Sequence, residues 1–175
     1  MELKLVKPNE DYINEINDYK QENLKIDGHI HGTSGLQKYE TVEDWIKQIR
    51  LCERNETTSS DVVTADQYML VQKSDKRVLG MINLRHNLGK VGSYLDEFAG
   101  HIGYSVRPSE RRKGYAKKML FLCLERCRNI GLNKVLLTCV PQNEASRKTI
   151  ISCGGKFERL ATSEKEMLER YWIEL

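Results

Sequence analysis

The sequence lacks the features that mark several broad classes of protein. Its 175 residues contain no apolar run of ~18 residues, and the N-terminal stretch MELKLVKPNED has no apolar core of a secretory signal. Net charge is only +3, from 28 cations against 25 anions, so no global field favours nucleic acid or an acidic membrane. No repeat or linker divides the chain. We therefore expect one domain over residues 1–175 that binds neither nucleic acid nor membrane.

Paired cysteine motifs are also missing. The five cysteines are an odd number without C-x-x-C spacing, which predicts reduced thiols in a cytoplasmic protein. Cys123 and Cys127 lie four residues apart without a neighbouring histidine, and His29 and His31 form a lone H-x-H in a loop. Packing and surface polarity explain both pairs more simply than ligation, so we predict no metal site.

Nucleotide-binding signatures are absent as well. The chain has no G-x-x-x-x-G-K-[ST], which leaves a P-loop unsupported, and no G-x-G-x-x-G, which removes the dinucleotide fingerprint.

What the sequence does contain is a regular alternation of strand and helix patterns. Period-2 or continuous apolar runs predict strands at 3–6, 67–72, 77–86, 97–106, 134–140, 156–161 and 166–175. Helical patterns follow the capping residues Asn9 and Thr41, follow the segment 107–114, and cover 144–153 after Asn143. The clearest helix carries the predicted buried stripe Ala116, Met119, Leu120, Cys123, Cys127 and Ile130, and ends at Gly131. The order β-α-α-β-β-β-α-β-α-β-β indicates a mixed sheet with helices on its faces.

The segment RPSERRKGYAKKM, residues 107–119, concentrates positive charge around one glycine. Its cations are Arg107, Arg111, Arg112, Lys113, Lys117 and Lys118. The segment joins a strand end to a helix start, where free N–H groups and the helix dipole attract anions. Gly114 removes a Cβ that would keep a phosphate from the backbone, and Ala116 stays small. These features predict a phosphate site, although a solvated helix start with incidental cations is the alternative.

Within this segment, Arg111 to Ala116 reads R-x-x-G-x-A, which resembles the [RQ]-x-x-G-x-[GA] acyl-CoA signature of the GNAT superfamily of N-acetyltransferases. The longer stretch GHIGYSVRPSERRKGYAKKML resembles the branch of ribosomal-protein acetyltransferases, and VPQNEASRKTIISCGGKFE resembles the next strand end and helix of the family. The resemblance implies the GNAT fold: an α/β (α+β) domain whose central, mixed, mostly antiparallel sheet of about seven strands is flanked by about four helices.

The resemblance also implies roles for individual residues. Backbone amides of the loop would hold the pyrophosphate of coenzyme A, namely those of Arg112, Lys113, Gly114, Tyr115, Ala116 and Lys117. The side chains of Arg111, Arg112 and Lys113 would add positive charge. The strand end Tyr104, Ser105 and Val106 would pair with pantetheine, and the N–H of Val106 would polarise the thioester carbonyl. Asn143 and Ser146 would contact the pantetheine arm, although an asparagine before a helix is also a good N-cap.

The activity implied by the resemblance is transfer of an acetyl group from acetyl-CoA to a primary amine, by direct attack in a ternary complex. The acceptor is a small molecule, a protein N-terminus or a lysine, and the protein is a monomer or homodimer. One residue departs from the pattern: Ile150 stands where many members have a tyrosine that protonates the leaving thiolate. A catalytically weak acyl-CoA sensor or structural module of the same fold is therefore the alternative.

An amine acceptor must lose a proton before it attacks, so a general base within hydrogen-bond reach is expected. If 97–106 is a regular strand, Glu97 and His101 share a face with Gly103 and Ser105, since side chains alternate. This predicts a carboxylate that orients an imidazole. The alternative is a solvated Glu97 and a His101 that bonds to the backbone.

Overall fold

The computed structural model describes residues 2–57 and 62–175, which fold into seven strands and four α-helices in the predicted order. The strands are β1 (Leu3–Val6), β2 (Ala65–Gln72), β3 (Val78–Arg85), β4 (Ile102–Val106), β5 (Lys134–Cys139), β6 (Lys156–Thr162) and β7 (Met167–Glu174). The helices are α1 (Ile13–Asp27), α2 (Val42–Leu51), α3 (Tyr115–Asn129) and α4 (Glu144–Ser152), with a π-helix over Leu95–Ala99. The expected α/β class is confirmed.

The strands form two sheets rather than one. Antiparallel pairing orders the first sheet β1-β2-β3-β4 and the second β5-β7-β6. Within the described ranges, a single backbone–backbone hydrogen bond joins β5 to the start of β4, from His101 N–H to the Leu136 carbonyl at 2.8 Å. Leu136 N–H in turn donates to His101 Nδ1 at 3.0 Å. Beyond this junction β4 and β5 are unpaired, which leaves a cleft between the sheets.

Each face of the first sheet has its own hydrophobic core. Ile82, Leu84 and Met119 belong to the core under α3. Trp45 and Met81 belong to the core under α1 and α2, where Trp45 Nε1 donates to the Thr33 carbonyl at 2.8 Å. The α3 core also contains residues of β5 and β7, so packing holds the two sheets together where hydrogen bonds do not.

The predicted strand 97–106 is wrong in its first half. Residues Leu95–Ala99 form the π-helix, and the strand begins only at Ile102. Gly100 ends the π-helix with φ +70°, and a Cβ there would lie 2.5 Å from the Leu136 carbonyl oxygen. The close approach of β5 therefore breaks the strand at this point. This contact is long-range, so the local pattern carries no sign of it.

Helix boundaries follow the predicted caps closely. Thr41 Oγ1 accepts from Asp44 N–H at 3.1 Å, and Asn143 Oδ1 accepts from Ser146 N–H at 3.0 Å. The expected stripe of α3 is buried except at its ends, since Ile130 lies beyond the last helical residue and is 41% exposed. None of the helices in the described ranges has both the length and the apolar character that a bilayer crossing requires.

Candidate functional site

The basic loop gives α3 an open N-terminus. Gly114 precedes the helix with φ +81°, Arg112 also has a positive φ of +66°, and no side chain caps the helix. The first helical hydrogen bond runs from Lys118 N–H to the Gly114 carbonyl at 3.1 Å. An uncapped helix start beside left-handed residues presents backbone N–H groups to an anion. A Cβ at Gly114 would meet no atom within 4 Å, so the left-handed φ, rather than a steric clash within the protein, favours glycine there.

Three of the six cations are already bound within the protein. Arg107 is buried and donates to the Val78 carbonyl at 2.7 Å and to Glu15 at 2.9 Å. Arg111 pairs with Asp27, the last residue of α1, and Lys113 pairs with Glu110 at 2.8 Å. Arg107 thus joins β4 to α1 and belongs to the core rather than to an anion site.

The remaining three cations lie at the start of α3. Arg112, Lys117 and Lys118 are exposed and form no ion pair with any residue in 2–57 or 62–175, while Lys118 Nζ lies 6.0 Å from the centre of the Phe121 ring. Positive charge without an ion-pair partner in the described residues is therefore concentrated around Gly114, at Arg112, Lys117 and Lys118.

The exposed edge of β4 follows from its pairing with β3. Arg85 N–H donates to the His101 carbonyl and Arg107 N–H to the Leu79 carbonyl, both at 2.8 Å. Because hydrogen-bonded and non-bonded pairs alternate in an antiparallel ladder, Ser105 also directs its backbone toward β3. The backbone groups of Tyr104 and Val106 therefore point the opposite way, into the cleft.

Ser105 has a different position from the one expected. Its backbone is directed toward β3 rather than into the cleft. Its hydroxyl donates to the His31 carbonyl at 2.5 Å and lies 2.8 Å from the Tyr19 hydroxyl. The loop 28–35 thus crosses directly over β4. Gly32 packs so closely on Gly103 that a Cβ on Gly32 would lie 2.3 Å from the Gly103 carbonyl oxygen.

This crossing brings His31 next to the strand. His31 is solvent-exposed as a residue, and its ring packs edge-to-face with that of His29, with the ring centres 4.5 Å apart. Burial, together with the neighbouring His29, lowers the pKa of His31 below its ordinary value of 6.5. A histidine beside β4 was not anticipated from the sequence, because His31 and Ser105 are 74 residues apart in the chain.

Helix α4 forms the opposite wall of the cleft. The Tyr104 hydroxyl lies 2.8 Å from Ser146 Oγ, so the side chain of β4 reaches the first turn of α4. Burial, the largest influence, raises the pKa of Tyr104 to about 12. Asn143 acts as the N-cap of α4. Ile150 is fully buried in the α3 core and brings no titratable group to the cleft.

The expected carboxylate–imidazole pair does not form. Glu97 lies on the π-helix and its carboxylate accepts from Arg159 Nη2 at 2.6 Å. His101 is buried, with Nδ1 occupied by Leu136 N–H, and burial lowers its pKa to about 4. The two residues share no strand face because the strand starts after both of them. His101 thus stabilises the sheet junction, and Glu97 anchors the π-helix to β6.

Fold and site together define a class: an α/β domain with a split sheet, whose cleft opens at an uncapped, positively charged helix N-terminus. Residues 3–156 match the family described as "Acetyltransferase (GNAT) domain". The chain belongs to the GNAT acetyltransferase family, which confirms the family and the enzyme class expected from the sequence. No curated protein is close enough in sequence to match.

Solved structures share the fold at low sequence identity. A ribosomal-protein-S5-alanine acetyltransferase from Vibrio fischeri is 17% identical, with TM-score 0.74 and coverage of 99% of this chain and 93% of that one. Mycobacterium smegmatis RimJ in complex with CoA-disulfide is 16% identical, with TM-score 0.72 and coverage of 98% and 81%. A spermidine N-acetyltransferase SpeG chimera from Vibrio cholerae and hSSAT is 15% identical, with TM-score 0.67 and coverage of 99% and 96%.

Proposed function

We propose that the protein transfers an acetyl group from acetyl-CoA to a primary amine by direct attack in a ternary complex. The observation that carries the proposal is the cleft between β4 and β5. It is lined by the outward backbone groups of Tyr104 and Val106, and it leads to the open N-terminus of α3. A ligand with an amide-rich arm and a pyrophosphate has complementary chemistry at both places.

In this scheme the loop binds the pyrophosphate through its backbone. The amides are those of Arg112, Lys113, Gly114, Tyr115, Ala116 and Lys117. Arg112 and Lys117 supply the charge that is not already paired within the protein, and Arg111 positions the loop through Asp27 and the Val106 carbonyl. Ser146 contributes its hydroxyl to the cleft wall, and Asn143 fixes the helix that carries it.

The chemical step uses the β4 edge. The N–H of Val106, or that of Tyr104 two residues farther from the pyrophosphate loop, polarises the thioester carbonyl as the amine nitrogen attacks. The C–N bond forms, the C–S bond breaks, and the nitrogen gives up a proton. Burial keeps the Tyr104 hydroxyl protonated, so it can donate a hydrogen bond to the departing thiolate.

For the base we propose His31 in place of Glu97 and His101. His31 lies on the loop that crosses β4 at Ser105, and its lowered pKa favours the neutral imidazole at pH 7, the form that accepts a proton. His101 Nδ1 already accepts a backbone hydrogen bond, and the Glu97 carboxylate is bound to Arg159.

The second candidate is an acyl-CoA sensor with little turnover. Ile150 favours it, because this fully buried side chain offers no hydroxyl at the position where many family members have the tyrosine that protonates the leaving thiolate. Incubation with acetyl-CoA and a panel of amines separates the two functions. Thiol release that depends on the amine, together with an acetylated product by mass spectrometry, supports the transferase. Binding of acetyl-CoA without amine-dependent thiol release supports the sensor. All five cysteines are free, in keeping with a cytoplasmic location.

A further inference from the structure

A second cavity lies on the opposite face of the first sheet from α3. It has a volume of about 380 Å³ and is lined by Ser34, Gln48, Ile49, Asn83, Arg85 and Leu95, among others. Asn83 pairs with Gly103 of β4, and Arg85 N–H bonds to the carbonyl of His101. The cavity therefore borders β4 on the side crossed by the loop 28–35, close to the proposed site of the acetyl group.

Arg85 in this cavity has no carboxylate partner among residues 2–57 and 62–175. Its guanidinium is half-buried and donates one hydrogen bond, from Nη1 to the Gly100 carbonyl at 3.0 Å. Within residues 2–57 and 62–175 no acidic side chain forms an ion pair with it. By contrast, the buried Arg107 pairs with Glu15 at 2.9 Å, and the buried Arg170 pairs with Glu158 at 2.6 Å. Among the described residues, Arg107 and Arg170 are thus neutralised by carboxylates, whereas Arg85 is not.

An uncompensated guanidinium in a cavity is costly unless an anion joins it. Burial lowers the pKa of Arg85, and the nearby Tyr94 offsets this loss of water only in part. The hydrogen bond to the Gly100 carbonyl closes the end of the π-helix, but it uses only one of the five N–H donors of the Arg85 guanidinium. Nε and Nη2 are left, and a pair of parallel N–H groups is the arrangement that binds a carboxylate through both oxygens.

We propose that Arg85 binds a carboxylate of the acceptor, so that the substrate is a small amine that also carries a carboxylate group. This inference rests on the proposed acetyl transfer. His101, opposite Arg85, lies three strand residues from Tyr104, a span of roughly 10 Å along β4. A small amino acid fits between a carboxylate at Arg85 and an amine at the cleft edge. Asn83 lies between them, and its Oδ1 accepts no hydrogen bond from the described part of the chain, so it can receive one from the amine.

The test compares amino acids with their own carboxamides. Glycine, β-alanine, γ-aminobutyrate and the standard L-amino acids are assayed for kcat/KM at saturating acetyl-CoA, each beside the amide that lacks the charge. A charge-assisted pair of hydrogen bonds predicts at least about tenfold preference for the best acid over its amide. Arg85→Gln is expected to abolish that preference, because kcat/KM falls for the acid far more than for the amide, while the affinity for acetyl-CoA stays that of the wild type.

The matched control is Arg50→Gln, which removes an exposed arginine of α2 that pairs with Glu10 and should keep the preference intact. Equal use of acid and amide by the wild type would overturn the proposal, as would an equal loss for both substrates in Arg85→Gln. If Arg85→Gln does not fold, Arg85→Lys retains the charge but loses the two-pronged geometry. It is expected to reduce the preference several-fold, and an unchanged preference refutes the role of Arg85.

Failure of this proposal is distinguishable from failure of the proposed function. If no amine releases thiol from acetyl-CoA, acetyl transfer is refuted. Calorimetric titration of the same acid and amide pairs into the CoA-loaded protein then decides the carboxylate question by itself. Tighter binding of the acid that depends on Arg85 supports the site, and indistinguishable binding of acid and amide removes it.

Discussion

Two glycines at opposite ends of α3 allow a controlled test of coenzyme binding. Gly114 precedes the helix with φ +81° and Gly131 follows it with φ +83°, and a Cβ at either position would meet no atom within 4 Å. Valine at each site therefore imposes similar left-handed strain, ~1–2 kcal/mol, without a steric clash. For a chain of this size we expect the melting temperature of both variants to fall by about 2–8 °C.

The two variants should differ in binding. Only Gly114 lies at the proposed pyrophosphate site, where a branched side chain would hold the phosphates away from the N–H groups. Loss of one hydrogen bond to a charged group costs ~1.5–3 kcal/mol, so Gly114→Val should weaken acetyl-CoA binding by at least about tenfold. Gly131→Val should bind as the wild type does.

Isothermal titration calorimetry at a temperature where both variants are folded measures the difference. Wild-type acetyl-CoA affinity in both variants would refute the assignment of the loop, whatever their stabilities. Equal weakening in both would show that strain in α3, rather than a blocked phosphate, controls the affinity.

Four further predictions follow from the same contacts. Arg112→Gln should weaken acetyl-CoA binding several-fold and flatten its salt dependence. Lys113→Gln removes a cation that is already paired, so it should change the affinity and the salt dependence less. Titrations of both variants at low and high salt measure the difference. Tyr104→Phe should lower kcat with little change in acetyl-CoA affinity, and equal kcat would remove the hydroxyl from the scheme. His31→Gln should lower kcat/KM for the amine, and the wild-type activity should fall as pH drops through a pKa below 6.5, a limb that the variant lacks. Asp66 of β2 accepts from Lys7 at 2.7 Å and lies 2.8 Å from His86 Nε2. Burial raises the pKa of Asp66, but these hydrogen bonds outweigh it and lower the pKa, so the stabilisation is present at pH 7 and lost in acid. Urea denaturation of Asp66→Asn should therefore give a free energy of unfolding lower by roughly 1–3 kcal/mol at pH 7, with a smaller difference near pH 3.

The sequence was most informative where local rules control the structure. Thr41 and Asn143 cap helices because a side-chain oxygen a few residues away is all that the helix start needs. The basic loop was visible for the same reason, since strand end, glycine and helix start are adjacent in the chain.

Long-range contacts explain what the sequence did not reveal. The π-helix replaces part of a predicted strand because Gly100 touches Leu136 of β5. Arg111 pairs with Asp27, 84 residues away in the chain, which leaves the cluster with fewer free charges than the sequence suggests. The pair of Lys113 with Glu110 is local, three residues apart, and could have been read from the sequence. One signal was available: Asn83 and Arg85 alternate as polar residues in an otherwise apolar strand, which predicts a polar patch on one face.

The single hydrogen-bonded junction at His101 and Leu136 has a consequence for cooperativity. In the proposed binding mode, the pantetheine arm lies between β4 and β5 like an additional strand. It forms hydrogen bonds with backbone groups that the two strands do not pair with each other. The coenzyme is then a structural element as well as a reactant, and at about 100 times its Kd it would add ~2.7 kcal/mol to the free energy of unfolding. The Tyr104 and Val106 amides would change from freely exchanging with solvent deuterium to protected. Their exchange rates would report directly whether the two halves of the sheet behave as one unit.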